Sequence, residues 1–150
     1  GAKEDELGRP FVGQAGKFLD ELIASIGLKR EEIYIANTVK CRPPNNRDPF
    51  PKEKKACWSW LEKQLKIIQP KIIVPLGKHS LEIFIPDAKI SEVHGQAFRK
   101  PFPPLKSVVL FPCYHPAATL YNGSLRKTLL KDFQKIPKVL GLIEKKNKKE

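Results

Sequence analysis

Residues 107–116 read SVVLFPCYHP: a continuous apolar run, Val108 to Phe111, followed by a break into a loop that holds Cys113, His115 and Pro116. An apolar stretch of strand length without alternation marks a strand covered on both faces. Two other runs share this character. KIIVPLG at 71–77 is a short buried strand ending on glycine, and residues 32–39 open on Glu32-Ile33-Tyr34-Ile35-Ala36 and run through Asn37 into a proline loop at 42–51. Between them lie helical periods. One places Phe18, Leu19, Leu22, Ile23 and Ile26 on a single face, with Gly27 as its stop; another carries the stripe Cys57, Trp60, Leu61, Leu65 and Ile68. KHSLEIFI, residues 78–85, reads as a short helix. A last basic helix follows the turn Asn122-Gly123-Ser124, with Leu125, Leu129, Phe133 and Ile136 inward. Residues 1–16 read as a glycine-punctuated loop, and 86–105 as a proline-dotted excursion around His94-Gly95.

Strands alternating with helices imply right-handed crossovers between parallel strands. The expected fold is therefore α/β, a three-layer α/β/α sandwich with a short central parallel sheet. The runs at 32–39 and 71–76 are apolar enough to call for one more central strand between them, which would precede Gly1 and be missing from this chain. Ligands of such sheets bind beyond the carboxyl ends of the strands. Asn37 and His115 both fall there, whereas His79 and His94 lack that strand-end setting.

Composition narrows the function. A chain of 150 residues with 41% hydrophobic content is one domain, residues 1–150, able to bury a core without staples. No run approaches the ~18 apolar residues of a membrane span. The formal charge of +12 points to a polyanion such as nucleic acid, or to a lysine-rich solvated surface. Three cysteines, an odd number, suit a reducing cytoplasmic setting better than a disulfide framework. There is no methionine, and the opening residues read as the middle of a longer protein truncated at its N-terminus. The basic tail 144–150 is expected to be solvated and frayed.

Three segments, GAKEDELGRPFVGQAGKFLDELI, NTVKCRPPNNRDP and CYHPAATLYNGSLRKTLLKDF, resemble the signature segments of the family-four uracil-DNA glycosylases, the thermostable iron–sulfur branch, in the expected order from Gly1 to about Ile136. The family pattern opens Gly-Glu-Ala-Pro-Gly, and this chain begins at its last glycine. The resemblance implies base excision repair of DNA damage by base flipping: hydrolysis of the bond between uracil and deoxyribose in single- or double-stranded DNA, by a monomer.

It also implies roles for individual residues. Asn37 would read the uracil edge, its amide matching O4 and N3–H; the plain alternative is turn chemistry. His115 would stabilise the negative charge building on the departing base. Phe11 would be a stacking floor, or else an ordinary loop anchor, and its neighbouring glycines would let backbone approach a ligand. Glu4 and Asp5 would orient the attacking water or support the oxocarbenium-like sugar, the plain alternative being a solvated acidic pair. Asn46 matches another substrate-side position. Leu120 would wedge into DNA, with Arg126 and Lys127 beside phosphates, a surface turn being the alternative. Cys41 and Cys57 match two of the four ligands of a 4Fe-4S cluster, the other two being expected upstream of Gly1; from this chain alone the favoured reading is two buried free cysteines. Cys113 has no counterpart and reads as core. Rival functions are a non-catalytic DNA-binding fragment, a glycosylase for another deaminated or mismatched base, and a metal-clip interaction protein using Cys41, Cys57 and a histidine.

Overall fold

The computed structural model describes residues 1–149; Glu150, the last residue of the basic tail, lies outside the described residues. The elements in chain order are α1 (Ala2–Leu7), α2 (Gln14–Ser25), α3 (Pro51–Ile68), β1 (Ile72–Ile73), α4 (Lys78–Phe84), α5 (Ile90–Val93), β2 (Phe98–Phe102), β3 (Leu105–Leu110), α6 (Leu125–Phe133) and α7 (Ile136–Asn147), with short 3-10 turns at Arg30–Glu32, Pro44–Asn46 and Pro116–Leu120.

β3 is the centre of a sheet of order β1-β3-β2. It pairs in parallel with β1, Ile72 opposite Val109 and Ile73 opposite Leu110. The parallel ladder then runs past β1: Phe111 N–H donates to Ile73 O, Cys113 N–H to Pro75 O and Gly77 N–H to Cys113 O, each at 2.9 Å. β1 is short because Pro75 has no N–H to give. The period of 2 along β3 sends side chains alternately to two cores. Val108 and Leu110 pack with Leu61, Leu65 and Phe84 of α3 and α4. Phe111 and Cys113 pack with Phe18, Leu19, Leu22 and Ile23 of α2, Leu129 and Phe133 of α6, and Ile136 of α7. Helices thus cover both faces, as the apolar runs require, and the α/β/α layering holds.

Several elements differ from expectation. The segment after Ile33 is extended but is not a strand, and no backbone hydrogen bond joins it to β1 among the described residues. Ile33 and Ile35 still pack against the core, partly buried, but Tyr34 between them is exposed, so the apolar run marked one covered face and not a buried strand. A ladder needs a neighbour about 4.8 Å away as well, and period alone carries no information on that. The excursion at 86–105 contributes β2, antiparallel to β3, which makes the sheet mixed. Its prolines are tolerated because it pairs on one side only. Residues 2–7 form a short helix ending on Gly8 in the left-handed region, φ 62°. The last helix divides at Gln134–Lys135, and α7 restarts with Pro137 in its first turn, where a missing N–H costs nothing. α7 reaches Asn147, held by buried Ile143 and by the pair Lys71–Glu144 at 3.1 Å, so the tail is ordered further than its charge suggests.

Candidate functional site

The loops at the carboxyl ends of β1 and β3 face the turn between α1 and α2. His115 stands at the start of the 3-10 turn Pro116–Leu120, and its Nδ1 accepts the Ala117 N–H at 3.1 Å. A ring nitrogen that accepts carries no proton, so the neutral ring holds its proton on Nε2. Burial first, and then the neighbouring His79, push the His115 imidazole below its ordinary value, against a smaller opposing pull from the Glu4 carboxylate. His115 is therefore a neutral donor at pH 7. Gly77, φ 83°, lies beneath it; a Cβ there would come within 2.9 Å of His115 Cβ.

Phe11 covers the imidazole, ring centroids 5.3 Å apart and planes at 21°. Its backbone is in the left-handed region at φ 52°, unusual for a bulky side chain. The turn is held from both sides. Glu4 Oε1 accepts the N–H groups of Val12 and Gly13, both at 3.0 Å. Arg30 donates from Nη1 to Phe11 O at 2.9 Å and from Nη2 to Pro10 O at 2.5 Å. Partial burial raises the Glu4 carboxyl, but the amides of Glu4 itself, Gly13 and Val12 outweigh it and hold it below the usual carboxylate value. Gly16 is needed because Phe11 O would lie 1.9 Å from a Cβ at that position. The glycines around Phe11 were expected to let backbone meet a ligand; Gly16 instead lets backbone meet backbone.

The other expected site residues are more dispersed. Asn37 is exposed, and its backbone carbonyl accepts from Lys40 Nζ at 2.7 Å. Asp5 pairs with Arg42 Nη1 at 3.7 Å, and Arg42 Nε donates to Asn46 Oδ1 at 2.7 Å, so both expected residues tie α1 to the proline loop. The far end of that loop is anchored by Glu53, pulled to about 2 chiefly by the Arg47 hydrogen bond and then by the Phe50 amide. Asp48 approaches His79 Nε2 at 3.1 Å and Lys78 Nζ at 2.9 Å, which brings the loop to the end of β1. The His79 contact lies off the hydrogen-bond axis and leaves Nε2 without a partner. His79 thus has the strand-end setting that its sequence context had seemed to lack, since it follows β1 as His115 follows β3.

Leu120 and Tyr121 project from the turn before α6, 55% and 93% exposed. Arg126 pairs with Glu21 and lies 4.3 Å over the Phe18 ring, and Lys127 is exposed. Cys41 and Cys57 line one cleft of about 360 Å³ with Lys40, Ala56, Trp60 and Gln64. Two thiols on a shared, mainly apolar cleft suit two corners of a metal cluster. Among the described residues no third His, Cys, Asp or Glu joins them. Cys113 is fully buried, its thiol pushed up to about 12 by burial and by the Asp132 charge, which makes it inert core.

Sequence reasoning missed Arg30, Gly16, Gly77 and the Asp48–His79 approach. Only the density of glycines in GRPFVGQAG hinted at crowding. Arg30 carries no local signal, being 19 residues from the carbonyl it binds.

A half-buried neutral histidine capped by an aromatic ring, beyond parallel strand ends, on an α/β/α sandwich, agrees with the comparison by sequence. The sequence model of the Uracil DNA glycosylase superfamily matches residues 1–138, and the chain belongs to that superfamily. Within it the similarity is to type-4 proteins. The type-4 uracil-DNA glycosylase of Sulfurisphaera tokodaii is 49% identical over 91% of this chain and 64% of its own length. That of Archaeoglobus fulgidus is 44% identical over 94% of this chain and 73% of its own length, and that of Thermotoga maritima 45% over 90% and 70%. The chain spans about two thirds of the length of these curated relatives.

Proposed function

We propose that the protein excises uracil from DNA, hydrolysing the N-glycosidic bond and leaving an abasic site. The observation that carries this is His115: half-buried, neutral and protonated on Nε2. As the C1′–N1 bond breaks, its electron pair passes to the base, and charge collects chiefly at O2. A neutral Nε2–H donor there lowers the barrier without first taking a proton from solvent. Water then adds at C1′, and its proton passes through solvent to the uracil anion, which leaves neutral uracil and the abasic sugar. Glu4 Oε1 accepts the Val12 and Gly13 amides and Oε2 lies 3.5 Å from the Gly1 amino group, so the carboxylate orients that water from an anchored position. Asp5, paired with Arg42, serves instead to fix α1.

Asn37 reads the extruded base through its amide, Phe11 gives it an apolar wall, and Asn46 braces the proline loop beside it. Leu120 enters the DNA stack, and Lys127 and Arg126 meet phosphates. Cys41 and Cys57 contribute two thiolates to a 4Fe-4S cluster, which when bound supplies structural bracing and DNA positioning. The working protein is a cytoplasmic monomer, and among the described residues no helix is long and apolar enough to cross a membrane.

The test is release of uracil from a labelled oligonucleotide under single-turnover conditions. His115→Ala is expected to keep DNA affinity while excision falls roughly 10²- to 10³-fold, the usual cost of losing one preorganised donor. A rate within tenfold of the parent would remove His115 from the chemistry. Oligonucleotides carrying hypoxanthine or mismatched bases, in the same assay, separate uracil from the rival substrates.

A further inference from the structure

We infer that Arg30 is a positioning residue for the site: by gripping the Pro10 and Phe11 carbonyls, with Asp20 orienting its guanidinium, it sets the Phe11 ring against His115. Three contacts converge on one side chain. Nη1 donates to Phe11 O at 2.9 Å and to Asp20 Oδ1 at 3.0 Å, and Nη2 donates to Pro10 O at 2.5 Å. Consecutive carbonyls held by one planar fork fix the peptide between them in orientation as well as position.

That peptide needs fixing. Phe11 sits at φ 52°, where a bulky residue stays only if its surroundings hold it. Its carbonyl is pressed onto the Gly16 backbone, and its ring is stacked on His115. Glu4 holds the amide side of the turn through Val12 and Gly13. Nothing but Arg30 among the described side chains bonds the carbonyl side at 10–11. Without it the left-handed turn can relax, and the ring leaves the imidazole. Asp20, on the first turns of α2, ties the grip to a helix packed in the core. The side-chain contacts of Arg30 are to the Phe11 and Pro10 carbonyls and to Asp20, so it acts on His115 through Phe11.

The inference rests on the proposed function only for its consequence on excision, so the test has two arms. In the first, ring-proton resonances of His115 are followed by NMR in the 150-residue chain, assigned by their loss in His115→Ala. Phe11→Leu marks where they move once the aromatic cap is gone. Arg30→Gln is expected to move them most of the way toward those positions, and Arg30→Lys, which keeps a donor in reach, less far. Arg30→Ala repeats the measurement, and Asp20→Asn serves if either variant fails to fold. In the second arm, Arg30→Gln lowers single-turnover excision roughly 10- to 100-fold, the scale of a displacement of about 1 Å at a reacting group, with DNA affinity unchanged. His115 resonances that stay at parental positions overturn the inference whatever the activity. Shifted resonances with undiminished excision overturn its role in the reaction. Shifted resonances in a parent that releases no uracil leave the positioning intact and refute the proposed function instead.

Discussion

Replacing Gly16 by alanine sets helix propensity against packing, and the two predict opposite signs. Gly16 lies in the first turn of α2, where alanine ordinarily stabilises by about 0.5–1 kcal/mol. Here the added Cβ would stand 1.9 Å from Phe11 O, whereas real Cβ contacts essentially never fall under 3.0 Å, so the carbonyl must retreat by about 1 Å. That retreat stretches the Arg30 hydrogen bond beyond its 2.9 Å, a charged bond typically contributing about 1.5–3 kcal/mol. Forced overpacking adds about 1–3 kcal/mol. The balance is a loss of about 2–5 kcal/mol, or roughly 4–20 °C in Tm for a domain of this size. Urea and thermal unfolding measure it, with Gly27→Ala as the control. Gly27 has φ 76° and nothing within 4 Å of an added Cβ, so it should lose only the left-handed cost of about 1–2 kcal/mol. A Gly16→Ala protein as stable as the parent, or more so, would refute the close approach of the turn to α2 and the geometry built on it.

His115 and the basic surface give two further expectations. Because burial and His79 hold the His115 imidazole below its ordinary value, the unfolded chain binds more protons in the window between the two values. Its contribution to stability is complete above about pH 6.5 and is lost as pH falls through the folded value; urea unfolding from pH 7.5 to 5 in the parent and in His115→Gln checks this, and an NMR titration that places His115 at or above the ordinary value contradicts it. If the +12 charge serves phosphate binding, DNA affinity falls with salt, and Lys127→Ala reduces the log–log slope by about 0.9. Lys54→Ala should change the slope less, because Lys54 already pairs with Glu82 at 2.5 Å; a flat salt response returns the charge to ordinary surface solvation.

Much of the layering was legible in the sequence because burial is a local property of period and polarity. The apolar run at 108–111 is the centre of the sheet and the stripe at 18–26 covers one face of it; of the stripe at 57–68 only Leu61 and Leu65 are buried in the core, while Trp60 and Ile68 are exposed. The strand-end position of His115 followed from the same run. Pairing was not legible. Ile33 and Ile35 are partly buried without a ladder, and Phe98–Phe102, interrupted by proline, makes one. Whether an extended segment becomes a strand depends on which chain lies beside it, and that is decided over the whole fold. The site divides along the same line. His115, Phe11 and Glu4 could be singled out from their segments, but that one stacks on another and the third ties down the turn between them came only from packing. Arg30 had no signal at all and Gly16 only the density of glycines around it, since a side chain's value to a carbonyl 19 residues away and a glycine's lack of a Cβ acquire meaning only once the chain has brought those atoms together.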